Sequence, residues 1–182
     1  MPPKPPKILQ TKEVARTRIF RVEELHLEFS NGEKRIYERL KAGGSGAVLV
    51  IAITDDNQVL MIREYAAGIE RYELALPKGL VEPGESIVDA ANRELKEEVG
   101  FGARDLQVIK EISLAPGYLS HRMSIVLARG LYPEKLEGDE PEPIDVIPVP
   151  MSEISALISR EDFTEARSIL ALLLVERLLN DQ

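Results

Sequence analysis

The sequence contains no cysteine. Disulfides, thiolate nucleophiles and cysteine-based zinc sites are therefore excluded. It also lacks any apolar run near the ~20 residues that span a bilayer, and the opening MPPKPPK carries basic residues with no apolar stretch behind it. Neither a membrane span nor secretion is expected, and a cytoplasmic location fits. Positive charge is short as well: 23 Lys and Arg stand against 31 Asp and Glu, for a net charge of −8. That balance argues against broad nucleic-acid binding, and a phosphate-bearing ligand would need a cation to offset mutual repulsion. Histidine is scarce, with His26 and His121 far apart and without metal-ligand spacing. Both read as structural or surface residues, with His121 the better candidate for a role.

What is present suits one core of ordinary size plus a small extra subdomain: 182 residues, 44% hydrophobic and 30% charged. Residues 1–12, rich in Pro and Lys, are expected to be disordered or extended. RIFRVEELHLEF (18–29) alternates as a strand, SNG turns, and EKRIYERL returns, giving an antiparallel hairpin within residues 13–43. After GGSG, AVLVIAIT and QVLMIREY form a second strand pair and RYELALP a further strand. Strands are expected at 106–114, 123–128 and 146–149, an acidic Pro-rich loop at 134–145, and helices at 151–159 and 162–179.

Residues 79–101, GLVEPGESIVDAANRELKEEVGF, carry the chemistry. Pro83-Gly84 is turn chemistry, and Glu85 or Ser86 stands where a helix should start. Ile87, Ala91 and Leu95, with Val88 and Ala90, make an apolar stripe at helical spacing that Gly100 ends. With that stripe buried, Glu94, Glu97 and Glu98 project together, because residues three and four apart are neighbours. Arg93 pairs with Glu97 at this spacing, which leaves Glu94 and Glu98 without a local cation. A divalent metal such as Mg²⁺ takes carboxylate oxygens and would balance them. Taken alone, the cluster reads more readily as a solvated charged face than as a metal site.

The fixed gaps decide otherwise. Gly79, five residues, Glu85, seven residues, Arg93-Glu94-Leu95, one residue, Glu97-Glu98, one residue, Gly100-Phe101 fills nine defined positions. This resembles the signature of the Nudix hydrolases. The resemblance implies an α+β fold, an α/β/α sandwich around a mixed sheet over residues 44–182, preceded by the small N-terminal antiparallel sheet. It implies hydrolysis of a nucleoside diphosphate linked to another moiety, with Mg²⁺ or Mn²⁺. Carried over, Glu94 and Glu98 would be metal ligands and Glu97 a third shared with Arg93. Glu85 would brace the loop–helix corner, and the carbonyl of Lys78 would face the metals.

Further stretches, among them ARTRIF, IREYA, LYPEKLEGDEPEP and FTEAR, resemble the branch of the family acting on ADP-ribose, diadenosine triphosphate and NADH. Pro116, sixteen residues after Gly100, resembles the mark of its ADP-ribose-cleaving members. Where the wider group has Pro-Ala-Gly this chain has Pro77-Lys78-Gly79, which brings a long cation near the phosphates. In such enzymes a glutamate of the acidic loop acts as base; here that implies Glu140, with Glu142 touching a metal and Glu137 as rival. Arg63 is expected to contact phosphate or ribose, with Tyr65 beside it. Tyr72 and Phe20 could stack adenine, although core packing is the plainer expectation for each. The resemblance also implies a homodimer, because in ADP-ribose-cleaving members the extra N-terminal sheet, here the hairpin, packs on a second subunit. A nucleoside triphosphate pyrophosphohydrolase has no use for that hairpin or for Pro116, and a non-catalytic nucleotide sensor would not keep every signature glutamate.

Overall fold

A computed structural model of the chain describes residues 4–139 and 141–180. The first unit is a three-stranded antiparallel sheet of β1 (Lys7–Arg16), β2 (Arg21–Glu28) and β3 (Lys34–Lys41), in that order. Its first strand was not legible. Residues 7–12, expected as part of a disordered or extended leader, pair with β2 from Lys7↔Glu28 onward. Every residue of β1 is exposed, so no inside–outside alternation marks it in the sequence; the ladder to β2 alone defines it.

The remainder builds a seven-stranded mixed sheet. Its strands are β4 (Ala47–Ile53), β5 (Gln58–Ala66), β6 (Arg71–Ala75), β7 (Lys78–Leu80), β8 (Phe101–Ser113), β9 (Arg122–Pro133) and β10 (Asp145–Pro150). The main order is β10-β5-β4-β9-β8, with β6 paired to β5, β7 paired to β4, and β4–β9 parallel. Strand β4 is buried at every position, as a strand covered on both faces must be. Its alternate residues feed two cores. Val48, Val50 and Ala52 join Leu60, Ile62, Ala90, Ala91 and Leu95 on the side of α1 (Ile87–Glu94). Leu49, Ile51 and Ile53 join Val59, Met61, Leu157 and Leu172 on the side of α2 (Ile154–Ile158) and α3 (Ala166–Asn180).

The helix after β7 begins as its sequence dictates. Ser86 sits in extended backbone and its hydroxyl accepts from the Asp89 N–H, satisfying one of the orphan donors of the first turn. The end is different from a plain α-helix. Residues Leu95–Val99 form a π-turn closed by Gly100 N–H donating to the Leu95 carbonyl at 3.1 Å, with Gly100 left-handed at φ 83°. Such turns insert an extra residue into the helical repeat and occur often at functional sites. Among the described residues no helix is long and apolar enough to cross a membrane.

Candidate active site

The site grows from the β7–α1 loop and the helix behind it. Arg93 is its hub. Its guanidinium donates to Glu85 through Nε (2.9 Å) and Nη2 (3.0 Å), to the Leu80 carbonyl (2.8 Å), and through Nη1 to both Glu94 (2.8 Å) and Glu97 (2.9 Å). Glu85 also accepts the Glu82 N–H at 3.0 Å, so it closes the loop–helix corner. This corrects the simple i,i+4 pairing: Arg93 serves Glu94 as well as Glu97, because the same guanidinium lies between them. Carboxylates on several sides, Glu85 foremost, hold the Arg93 proton far more tightly than usual.

Glu98 turns inward through the π-turn. It is 4% exposed, and its Oε2 accepts the main-chain N–H of Lys78 at 2.9 Å. Burial pushes its carboxyl up to about 8; Lys78 pulls the other way through its charge and its N–H, and Glu94 and Glu64 add to the rise. The Lys78 ammonium itself is held by Glu64 at 2.7 Å. Sequence reasoning has Arg63, Glu64 and Tyr65 end a strand bordering the site but gives Glu64 no role; in β5 it leaves on the face of Leu60 and Ile62, toward α1. Glu94 is 8% exposed and lies against Gly79, where an added Cβ would overlap its carboxylate. A side chain at position 79 is therefore incompatible with this position of Glu94.

The same alternation sends other predicted residues elsewhere. Arg63 and Tyr65 leave β5 on the side of Val59 and Met61, opposite to α1. Arg63 lines a groove of about 750 Å³ with Arg71, Tyr72, Pro148 and Phe163. Tyr65 and Tyr72 meet edge to face at 5.6 Å and both are about half exposed, so Tyr72 is not a core residue; neither is Phe20, 51% exposed. Pro116 lies in the β8–β9 loop, bordering a groove of about 780 Å³ with Leu25, Leu27, Tyr37 and His121. Neither groove is lined by Glu94, Glu97 or Glu98.

The acidic loop spans these two regions. At its start Lys96 pairs with Glu134 at 2.9 Å, Leu136 N–H donates to the Lys96 carbonyl, and Lys135 Nζ donates to the Glu97 carbonyl. At its far end Glu142 accepts a hydrogen bond from the Tyr72 hydroxyl. Glu140 lies outside the described residues.

Among the described residues no three acidic or histidine side chains are gathered so as to hold an ion as they stand. Arg93 draws oxygens of both Glu94 and Glu97 to itself. The donor set nevertheless has the chemistry of a hard divalent cation. Three carboxylates lie on successive turns, two of them buried, and the bare Cα of Gly79 leaves room for one of these.

Comparison with known proteins identifies the family. Residues 45–172 match the NUDIX domain, and residues 6–39 match the NudE-type Nudix hydrolase N-terminal domain. The chain is 53% identical to the ADP compounds hydrolase NudE of Escherichia coli (strain K12) over 177 residues, 97% of this chain and 95% of that one. It is 31% identical to the ADP-ribose pyrophosphatase of Bacillus subtilis (strain 168), covering 91% and 92% of the two chains. A crystal structure of ADP compounds hydrolase superposes with a TM-score of 0.92 at 51% identity, over 100% of this chain and 98% of the other. With the signature complete, its glutamates gathered at the β7–α1 loop, and the match extending along nearly the whole chain, this protein belongs to the Nudix hydrolases.

Proposed function

We propose that this Nudix hydrolase splits the diphosphate bond of ADP-linked compounds, with ADP-ribose, diadenosine triphosphate and NADH as its candidate substrates and Mg²⁺ or Mn²⁺ as its cofactor. The observation that carries the reading is the signature helix beside the loop: Glu94 and Glu97 meet at Arg93, Glu98 accepts the Lys78 N–H, and Gly79 admits the Glu94 carboxylate. The names of the two relatives, one acting on ADP compounds and one on ADP-ribose, support the substrate class.

In this reading Glu94 and Glu98, with Glu97 and the Lys78 carbonyl, hold the divalent cation, and Glu142 is a further donor from the loop. The cation would neutralise diphosphate oxygens and acidify a bound water. Arg93 fixes the orientation of Glu94 and Glu97, and Glu85 fixes Arg93. Glu140 accepts the proton of the attacking water, which adds to one phosphorus as the bridging oxygen leaves with the other. Lys78 and Arg63 neutralise phosphate or ribose oxygens, and the half-exposed Tyr65–Tyr72 pair offers a base a stacking surface. Pro116 borders the substrate from the groove under the N-terminal sheet. That sheet leaves Ile8, Ile36 and Tyr37 exposed, which supports a homodimer in which a second copy covers them. A cytoplasmic setting suits a chain without cysteine.

The test is product identification with ADP-ribose in the presence of Mg²⁺. AMP and ribose 5-phosphate in equal amounts are expected; inorganic phosphate or adenosine as the first product would refute the reading.

A further inference from the structure

Lys78 presents two positive ends to one group of carboxylates. Its main-chain N–H caps Glu98, while its side chain, 19% exposed, carries the ammonium to Glu64 on β5. Among the described residues Glu64 is the ammonium's only bonded partner, and Glu64, 42% exposed, stands at the open side of the pair. Glu64 belongs to no part of the signature, and β5 delivers it to the α1 face only because of its position in the strand alternation. Five carboxylates, Glu64, Glu85, Glu94, Glu97 and Glu98, are thus tied together through donors of two residues, Arg93 and Lys78. Arg93 is enclosed by its partners. Lys78 is a compact point charge on a flexible stem with one exposed partner, which makes it the cation able to move.

An ammonium in this place has two opposed consequences. It competes through its field with any divalent cation that the same carboxylates would hold. It also offers a charge-assisted hydrogen bond to an incoming diphosphate, whose own charge repels Glu64.

We propose that Glu64 and Lys78 form a charge-exchange pair: Glu64 holds the ammonium at the mouth of the site in the absence of substrate, and the ammonium passes to a diphosphate oxygen when substrate binds. Lys78 thereby raises affinity for the diphosphate and lowers affinity for the divalent cation, and Glu64 is the positioning residue that sets the balance. The inference rests on the metal-dependent diphosphatase reading above.

The experiment measures Mn²⁺ binding to the substrate-free protein by electron paramagnetic resonance, alongside kcat and KM for ADP-ribose. Lys78→Met should tighten Mn²⁺ binding by about 3- to 10-fold and raise KM by about 10-fold, with kcat changed less than KM. Lys78→Arg, which keeps the charge, should restore most of both. Glu64→Gln should lower KM in the parent and leave it unchanged in the Lys78→Met background, since its effect acts through the ammonium. Unaltered Mn²⁺ affinity or unaltered KM in Lys78→Met overturns the inference. So does a Glu64→Gln effect of equal size with and without Lys78. A parent that binds no Mn²⁺ at all overturns the metal-dependent reading together with this one, whereas a parent that binds it normally isolates the failure to the pair.

Discussion

Glu23 in the N-terminal sheet and Glu98 in the signature helix are both nearly withdrawn from water, 6% and 4% exposed, yet they answer burial in opposite directions. Glu23 has two cations to itself: Lys41 at 3.0 Å and Arg39 at 2.8 Å. Lys41 first and Arg39 next hold its carboxyl below the usual range, outweighing burial. Among the described residues Glu98 has only the Lys78 N–H as a direct hydrogen-bond partner, with two carboxylates near it, and its carboxyl is pushed up to about 8. One group is charge-balanced by its own chain and serves to join β2 to β3. The other is left short of cations by the same chain, which fits the external cation proposed for it.

The largest expected effect strikes the unbalanced group. Glu94→Gln or Glu98→Gln should lower kcat by at least ~10²-fold with the circular dichroism spectrum retained, because each removes charge stabilisation that matters most in the transition state. Near-normal turnover in both, with Mg²⁺ saturating, would erase the functional side of the contrast. Gly79→Ala should come next. Its methyl meets the far end of a flexible side chain, so the fold should hold while the Glu94 carboxylate is displaced, at a cost of about 10-fold in kcat. A lost thermal midpoint with unchanged kcat would show that the glycine serves the fold instead.

The balanced group should behave in the reverse way. Glu23→Gln leaves Arg39 and Lys41 facing each other, and the thermal midpoint should fall by about 2–4 °C. Its pH dependence has a definite sign. Glu23 has a lowered carboxyl, so its stabilisation is fully present above the ordinary value of 4.5 and is lost as pH falls through the lower folded value. Denaturant melts between pH 6 and pH 3 should show a smaller loss on acidification in Glu23→Gln than in the parent; an equal loss would remove Glu23 from the balance. The smallest effect belongs to Tyr72→Phe, which removes one exposed hydrogen bond to Glu142. Faster proteolysis within residues 134–144 is expected, with kcat within about threefold of the parent. Unchanged cleavage would mean that Tyr72 does not hold the loop.

Much of the signature was readable because its information is local. Ser86 as cap, Gly100 as terminator and the apolar stripe of Ile87, Ala91 and Leu95 follow from residue type and spacing along one helix. The π-turn was not readable, since nothing in LKEEV separates it from an α-turn. Strands β4 and β5 were legible from continuous or alternating apolar residues, whereas β1 and the short β7 were not, and β8 was read only from residue 106.

By itself, the sequence determined which chemistry is possible: no thiols, a surplus of carboxylates, and three glutamates spaced to share one end of a helix behind a glycine loop. Tertiary structure alone decided who meets whom. It sent Arg63 to the α2–α3 side and Glu64 to the α1 side of adjacent positions, and brought Glu64 to Lys78 across two strands. It also placed one guanidinium between Glu85, Glu94 and Glu97. The reason is physical: spacing fixes neighbours within an element, but the face a strand residue takes depends on register and on which helix covers that face, and both are settled only when the layers pack.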